Sequence, residues 1–229
     1  VATIAVPAKE EAAKLPAKAD EQDQVRLDDV VVTATKRAKS LRDISGSVGA
    51  VSGKALEEMG ARDMEDFIKL IPGVALNKND GGRGSPSIRG INVSQGLGNT
   101  QAPTGFYVDD IPFNDPFFPG GTIDFTPYDL QRVEVLKGPQ GTLYGSVALA
   151  GAIRYITETP ELGVSSAKFT LAQTQVSGGG REPFGAMALN APIGDDAAVR
   201  VVGVKYWQPG YIDETLRKQE DVNRSKSSQ

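Results

Sequence analysis

Hydrophobic positions along this 229-residue chain fall into short bursts separated by polar and glycine-rich stretches, and the spacing within each burst predicts its element. Residues 1–27 hold no such burst. Ala, Pro, Lys, Glu, Asp and Gln dominate there, with too little apolar surface to offset the entropy of ordering, so disorder is predicted. Asp29–Ala34 (DVVVTA) follows, and its three consecutive valines and threonine favour an extended backbone. A lone strand cannot satisfy its own peptide groups. This run is therefore either the first strand of the following domain or a strand held on a tether for a partner's sheet to take up. The polar, basic run Thr35–Arg42 gives it a second flexible-looking flank, which favours the tethered strand.

Compact sequence begins near Ser47. Val48–Val51 reads as a short strand, Ser52 as the N-cap of a turn of helix over Lys54–Met59, and Gly60 as its end. Met64, Phe67, Ile68 and Ile71 fall at i, i+3, i+4 and i+7, one face of an amphipathic helix. Asp63, Glu65 and Asp66 occupy its first turn and Pro72-Gly73 stops it. Val74–Leu76 is extended again, Asn77–Pro86 is a glycine-rich loop, and Ser87–Ile91 is a strand containing Arg89. The loop lacks the lysine and following helix of a phosphate cradle. Asn92–Thr104 is a second loop. Phe106–Asp109 and Ile111–Phe113 make a tight hairpin in which Asp109 and Asp110 read as turn residues rather than an acid pair. A third loop, Asn114–Thr126, carries Phe117 and Phe118, which either meet a ligand or anchor the loop on the core.

Asp129–Lys137 alternates, with Val133 and Val135 on one face and Arg132 and Glu134 on the other. That charged face suits solvent, and equally suits ion pairing with another wall. Gly138–Ala152 is rich in small residues and Ile153–Thr157 returns as a strand. After Pro160 the pattern changes to three longer strand-like segments, Ala167–Gln175, Phe184–Asn190 and Ala198–Trp207, separated by turn clusters. Ten residues tilted by ~45° cover most of the ~25 Å apolar band of an outer-membrane barrel. A soluble meander has the same pattern.

Composition removes several functions. There is no histidine and no cysteine, which eliminates most zinc, haem and Ser-His-Asp chemistry and all disulfides, and no nucleophile–base spacing points to an enzyme. A net charge of −4 without a basic cluster argues against nucleic acid. No apolar run approaches the ~20 residues of a transmembrane helix. No cofactor or metal site is expected.

Several of these runs together resemble the N-terminal part of TonB-dependent outer-membrane receptors. Asp28–Ala34 (DDVVVTA) looks like the TonB box of that family. Asp66–Val74 (DFIKLIPGV), Ser87–Gly90 (SIRG), Tyr107–Pro112 (YVDDIP) and Asp129–Ile156 look like its successive plug motifs, the last containing RVEVLKGP, LYG and GAI. After LYG the family often carries Arg or Asn and then a Gly-Gly pair, whereas this chain has Ser146-Val147-Ala148 and Ala150-Gly151.

The resemblance implies an α+β plug domain, a small mixed sheet with short helices and long loops, followed by the first antiparallel strands of a transmembrane β-barrel. The division it implies is a leader over 1–27, the TonB box over 28–34, a linker over 35–46, the plug over 47–160 and three or four barrel strands over 161–229. A family barrel has ~22 strands, so the barrel is expected to be incomplete in this sequence. The implied partners are TonB with its inner-membrane motor, outer-membrane lipid, and an external ligand such as a metal chelate or oligosaccharide. The implied TonB-binding residues are Asp28, Asp29, Val30, Val31, Val32, Thr33 and Ala34. Arg89, Arg132, Glu134 and Arg154 are candidates for contact with the barrel wall, or else for salt bridges within the plug. Arg83, Asn92, Gln95, Asn99, Phe117 and Phe118 are candidates for the ligand. The implied activity is active import across the outer membrane. The alternative is a plug-bearing binding or signalling protein that transports nothing.

Overall fold

The computed structural model describes residues 31–32, 39–40, 46–78, 84–92, 103–113, 125–145, 148–175, 180–208 and 225–228. These fall into two units, Arg26–Thr159 and Pro160–Gln229. In the first, β1 (Val31–Val32) pairs antiparallel with β2 (Lys39–Ser40), and the Val32 side chain is fully buried. Of the valine run, Val31 and Val32 are therefore paired on their own chain, where the polar flanks suggested a strand that pairs only when a partner arrives.

A five-stranded mixed sheet forms the body of this unit. Its strands are β3 (Ser47–Ser52), β6 (Thr104–Val108), β7 (Ile111–Pro112), β8 (Leu130–Lys137) and β9 (Gly151–Thr157), in the order β3-β8-β9-β6-β7. All neighbours are antiparallel except β6 and β9. Two short helices, α1 (Gly53–Glu58) and α2 (Met64–Ile68), cover one face. Helices of six and five residues are unstable alone. Caps and burial hold them. Ser52 accepts from Ala55 N at 3.2 Å, and Asp63 with Asp66 forms a reciprocal capping box. Met64, Phe67, Ile68 and Ile71 are all buried against Val133, Val135, Ile153 and Tyr155, with Phe67 edge-on to Tyr155 at 6.1 Å. Each such side chain contributes roughly 1.5–3 kcal/mol.

The other face of the sheet is also covered, so of the two uses left open for the charged face of β8 it is not the solvated one. Tyr107, Leu136, Tyr144, Ala148 and Ala152 form a second cluster. Tyr144 comes from α3 (Gly141–Tyr144), a single turn inside the small-residue stretch, where no periodicity announces it. Central strand β9 is buried along six of its seven residues and starts at Gly151, two residues before the sequence expectation. Gly151 is required there, because a Cβ would lie 2.2 Å from the Leu136 carbonyl oxygen. Gly53 is equally constrained: a Cβ would lie 1.6 Å from Leu130 O.

The remaining ladder of this unit joins β4 (Val74–Lys78) to β5 (Gly84–Ile88). The strand expected over Ser87–Ile91 thus starts earlier and ends at Ile88. Arg89 and Gly90 both have positive φ, +54° and +80°, and turn the chain so that Ile91 N donates back to Ile88 O at 3.0 Å. Arg89 stands in a turn, not in a strand.

The second unit is an antiparallel sheet of β10 (Ser166–Gln175), β11 (Arg181–Ile193), β12 (Ala197–Gln208) and β13 (Ser225–Ser228) in sequence order. Both long hairpins run further than the hydrophobic pattern indicates, with Pro192 and Ile193 still in register with Ala198 and Ala197. Register puts Phe169, Met187 and Gly203 side by side, and Ala167, Leu189 and Val201 likewise. That face exposes Phe169, Leu171, Met187, Leu189, Ile193, Val199 and Val201. Phe184, Ala186, Ala188, Asn190, Val204 and Tyr206 occupy the opposite face and are buried.

Candidate functional site

Alternation along β8 sends Arg132, Glu134 and Leu136 to the face carrying the tyrosines. Register then sets Glu134 opposite Arg154 of β9. The Glu134 carboxylate is fully buried and shared: Arg154 Nη1 donates to Oε2 at 2.8 Å and Arg132 Nε to Oε1 at 2.7 Å. Arg154 also reaches the β6–β7 turn, donating to Asp110 Oδ1 at 3.2 Å and to the Asp109 carbonyl at 3.3 Å. Its guanidinium lies 5.5 Å from the Tyr144 ring centroid. Charges removed from water this far need paired, hydrogen-bonded partners, and this cluster supplies them from two strands and the β6–β7 turn.

Burial pushes the Tyr144 phenol up to about 12; Arg154 acts against the rise, while Glu134, Asp110 and Tyr107 add to it. Burial also raises Tyr107, whose hydroxyl donates to the Tyr144 carbonyl. Asp109, at φ +54°, accepts from Thr157 N and from its hydroxyl, both at 3.0 Å. Asp109 and Asp110 thus do more than turn the chain: one fastens the end of β9, the other extends the ionic cluster. Their adjacency in YVDDIP was the only sequence sign of this.

Arg89 is separate from that cluster. Its backbone N–H donates to Gly73 O at 2.8 Å, and its guanidinium lies beside Gly138, where a Cβ would be 3.6 Å from Nη1. Lys137 donates to Pro72 O at 2.7 Å, and burial, then the charge of Arg89, lowers its pKa. The IPG, SIRG and LKGP motifs therefore meet at one corner of the unit.

The structure thus brings Arg132, Glu134 and Arg154 together and sets Arg89 apart. Of the docking run, Val31 and Val32 are described and paired to Ser40 and Lys39; Asp28, Asp29, Val30, Thr33 and Ala34 lie outside the described residues. Among the ligand candidates Asn92 is exposed, whereas Arg83, Gln95, Asn99, Phe117 and Phe118 lie outside the described residues. Among the described residues no cluster of carboxylates is placed to hold a metal ion, and no helix is long and apolar enough to cross a membrane.

Residues 40–152 match the family model of the TonB-dependent receptor plug domain. The chain is 38% identical over 140 residues to the vitamin B12 transporter BtuB of Vibrio vulnificus, covering 58% of this chain and 21% of that protein. It is 28% identical over 211 residues to an iron-regulated outer membrane virulence protein of Vibrio cholerae, covering 88% of this chain and 32% of the relative. Among solved structures it is similar to the ferric yersiniabactin uptake receptor FyuA from Yersinia pestis, with a TM-score of 0.66 at 24% identity, over 80% of this chain and 27% of that one. The chain spans about a fifth to a third of the length of these proteins. The mixed sheet with its short helices is a plug, the long antiparallel strands follow it as they do in the solved relatives, and the chain belongs to the TonB-dependent receptors of the outer membrane.

Proposed function

We propose that the chain supplies the plug and wall strands of an importer, worked by TonB, that carries a scarce, large nutrient across the outer membrane, a metal chelate or a molecule of cobalamin size. The observation that carries this reading is one order of parts: a docking-type strand, a plug, then strands suited to lipid. β11 has 13 residues and extends ~44 Å, which at a tilt of ~45° spans ~31 Å, enough for the ~25 Å apolar band. The exposed face of that sheet bears Phe169, Leu171, Met187, Leu189 and Val201, the side chains lipid accepts. The names of the relatives, a vitamin B12 transporter and an iron-regulated protein, support nutrient import and do not choose between ligands.

The mechanism follows from where force enters. TonB adds a strand to Asp28–Ala34, and the pull arrives at the plug through residue 46. The first element loaded is β3, which is held to the sheet along one edge only, by β8. The pull on β3 is thus resisted by its single ladder with β8, while the Glu134–Arg154 pair ties β8 to β9 behind it. Ligand binds over the outward loops, for which Asn92 and the loop residues Arg83, Gln95, Asn99, Phe117 and Phe118 are the candidates. Arg89, Arg132, Glu134 and Arg154 remain candidates for the barrel wall alongside their bonds within the plug.

Val31→Pro tests the reading, because proline removes a ladder donor from the docking strand. Cells bearing the variant at normal receptor level are expected to lose accumulation of labelled cobalamin or ferric chelate, whichever the unaltered receptor takes up. Uptake at the unaltered rate would sink the proposal.

A further inference from the structure

The first residues of the second unit are fastened by a side chain that takes no part in the sites above. Asn190, on the buried face of β11, is 3% exposed. Its Oδ1 accepts from Glu161 N at 3.0 Å, and its Nδ2 donates to Glu161 O at 2.9 Å and to Val164 O at 2.7 Å. One carboxamide thereby satisfies three backbone groups of residues 161–164, a segment that is itself exposed and turns at Gly163 with φ +71°. Only asparagine has one acceptor and two donors at this reach; aspartate would set an oxygen against two carbonyls. On the plug side, Asp109 holds Thr157, and Gln131 donates to Thr159 Oγ1 at 3.0 Å. The chain between the two fastenings is reduced to Pro160 and its immediate neighbours.

We propose that Asn190 is the anchor at which plug movement stops. The proposal rests on the reading of the chain as a pulled plug. When force draws the plug out of its resting arrangement, the fastenings made by Asp109 and Gln131 yield with β9, whereas the carboxamide keeps residues 161–164 on the wall strand. Displacement is then confined to residues before 160, and the plug returns to the same starting point after each cycle. Asn190 acts here as a positioning residue, through the backbone it holds.

Amide exchange and labelling test this on the whole receptor in its membrane. In Asn190→Leu, which removes the acceptor of the Glu161 N–H, and in the near-isosteric Asn190→Asp, whose second oxygen faces two carbonyls, exchange at the Glu161 amide is expected to rise at least about tenfold while β11 and β12 keep their protection. Should Asn190→Leu fail to assemble, Asn190→Asp carries the measurement. Unchanged exchange in an assembled variant overturns the clasp. The chain has no cysteine, so the single substitutions Glu158→Cys and Ser165→Cys report cleanly. With a membrane-impermeant maleimide, energised cells are expected to gain labelling at position 158 but not at 165, and to gain it at 165 only with Asn190→Asp. Energy-dependent labelling at 165 with Asn190 intact overturns the anchor. Labelling at 158 that ignores energy refutes the pulled plug itself, and the exchange result still decides whether the clasp exists.

Discussion

Glu134 and Arg154 are register partners on β8 and β9, joined by a 2.8 Å ion pair in which neither side chain is more than 3% exposed. Removing one member leaves the other charged and buried. Glu134→Ala is expected to cost about 3–5 kcal/mol of plug stability, since Arg132 and Arg154 both lose their shared acceptor. Replacing the pair together, as Glu134→Leu with Arg154→Met, is expected to cost less than the single change. Denaturant titration of the three variants followed by near-UV circular dichroism measures the ordering; a double variant less stable than Glu134→Ala would contradict it.

Alkaline pH gives a second reading of the same pocket. The phenol of Tyr144 is raised in the folded chain from 10.0 to about 12. Its stabilising contribution is complete below pH 10 and is lost as pH rises through about 12, because the unfolded phenol releases its proton first. Absorbance titration should therefore show late tyrosinate ionisation from which Tyr144→Phe removes the component near 12, leaving that of Tyr107. The component near 12 persisting undiminished in Tyr144→Phe would assign it elsewhere.

Two glycines lie against carbonyls and one does not. Gly53→Ala and Gly151→Ala place a methyl within 1.6 Å and 2.2 Å of carbonyl oxygens on β8, so backbone must move, at a cost on the order of 3 kcal/mol. Gly194, at φ +69° in the β11–β12 turn, has nothing within 4 Å of an added Cβ. Gly194→Ala is expected to cost only about 1 kcal/mol. Thermal midpoints of the three variants separate crowding from backbone preference.

The two faces of the second sheet should differ in tolerance of charge. Leu189 stands between Ala167 and Val201 on the exposed apolar face, while Lys168 already places a cation on the other. In the membrane, Leu189→Arg is expected to cost about 2–4 kcal/mol near the midplane, and Thr174→Arg little. Comparing the folded fraction of each variant by its heat-modified gel mobility checks this. Equal tolerance would mean that the exposed face does not meet lipid.

Local signals were legible where chemistry is local. The i, i+3, i+4, i+7 spacing of Met64, Phe67, Ile68 and Ile71 identified a buried face, and Ser52 and Gly60 marked both ends of α1, Gly60 at φ +68°. Burial on the far face of β8 was not legible. Tyr107 and Tyr144, which build the cluster on that face, stand on separate elements, and no period along β8 encodes them. Arg89 read as a strand residue because a two-residue turn with positive φ interrupts the apolar pattern only at Gly90. In the site, the charge types were visible in RVEV and GAIR, but their mutual pairing depends on register between β8 and β9. Asn190 carries no local signal at all, since its partners lie 26 and 29 residues earlier.

On the proposed docking of the valine run, the two-residue ladder between Val31–Val32 and Lys39–Ser40 sets a threshold for the incoming strand. Only the six residues 33–38 separate the strands, so the chain presents its own competitor at an effective concentration on the order of millimolar. An incoming strand must overcome that local molarity with more rungs than two, and any partner present at micromolar levels succeeds only by forming a longer ladder. Occupancy of the run is then governed by ladder length, and each residue added to the match outside Val31–Val32 tilts the exchange toward capture.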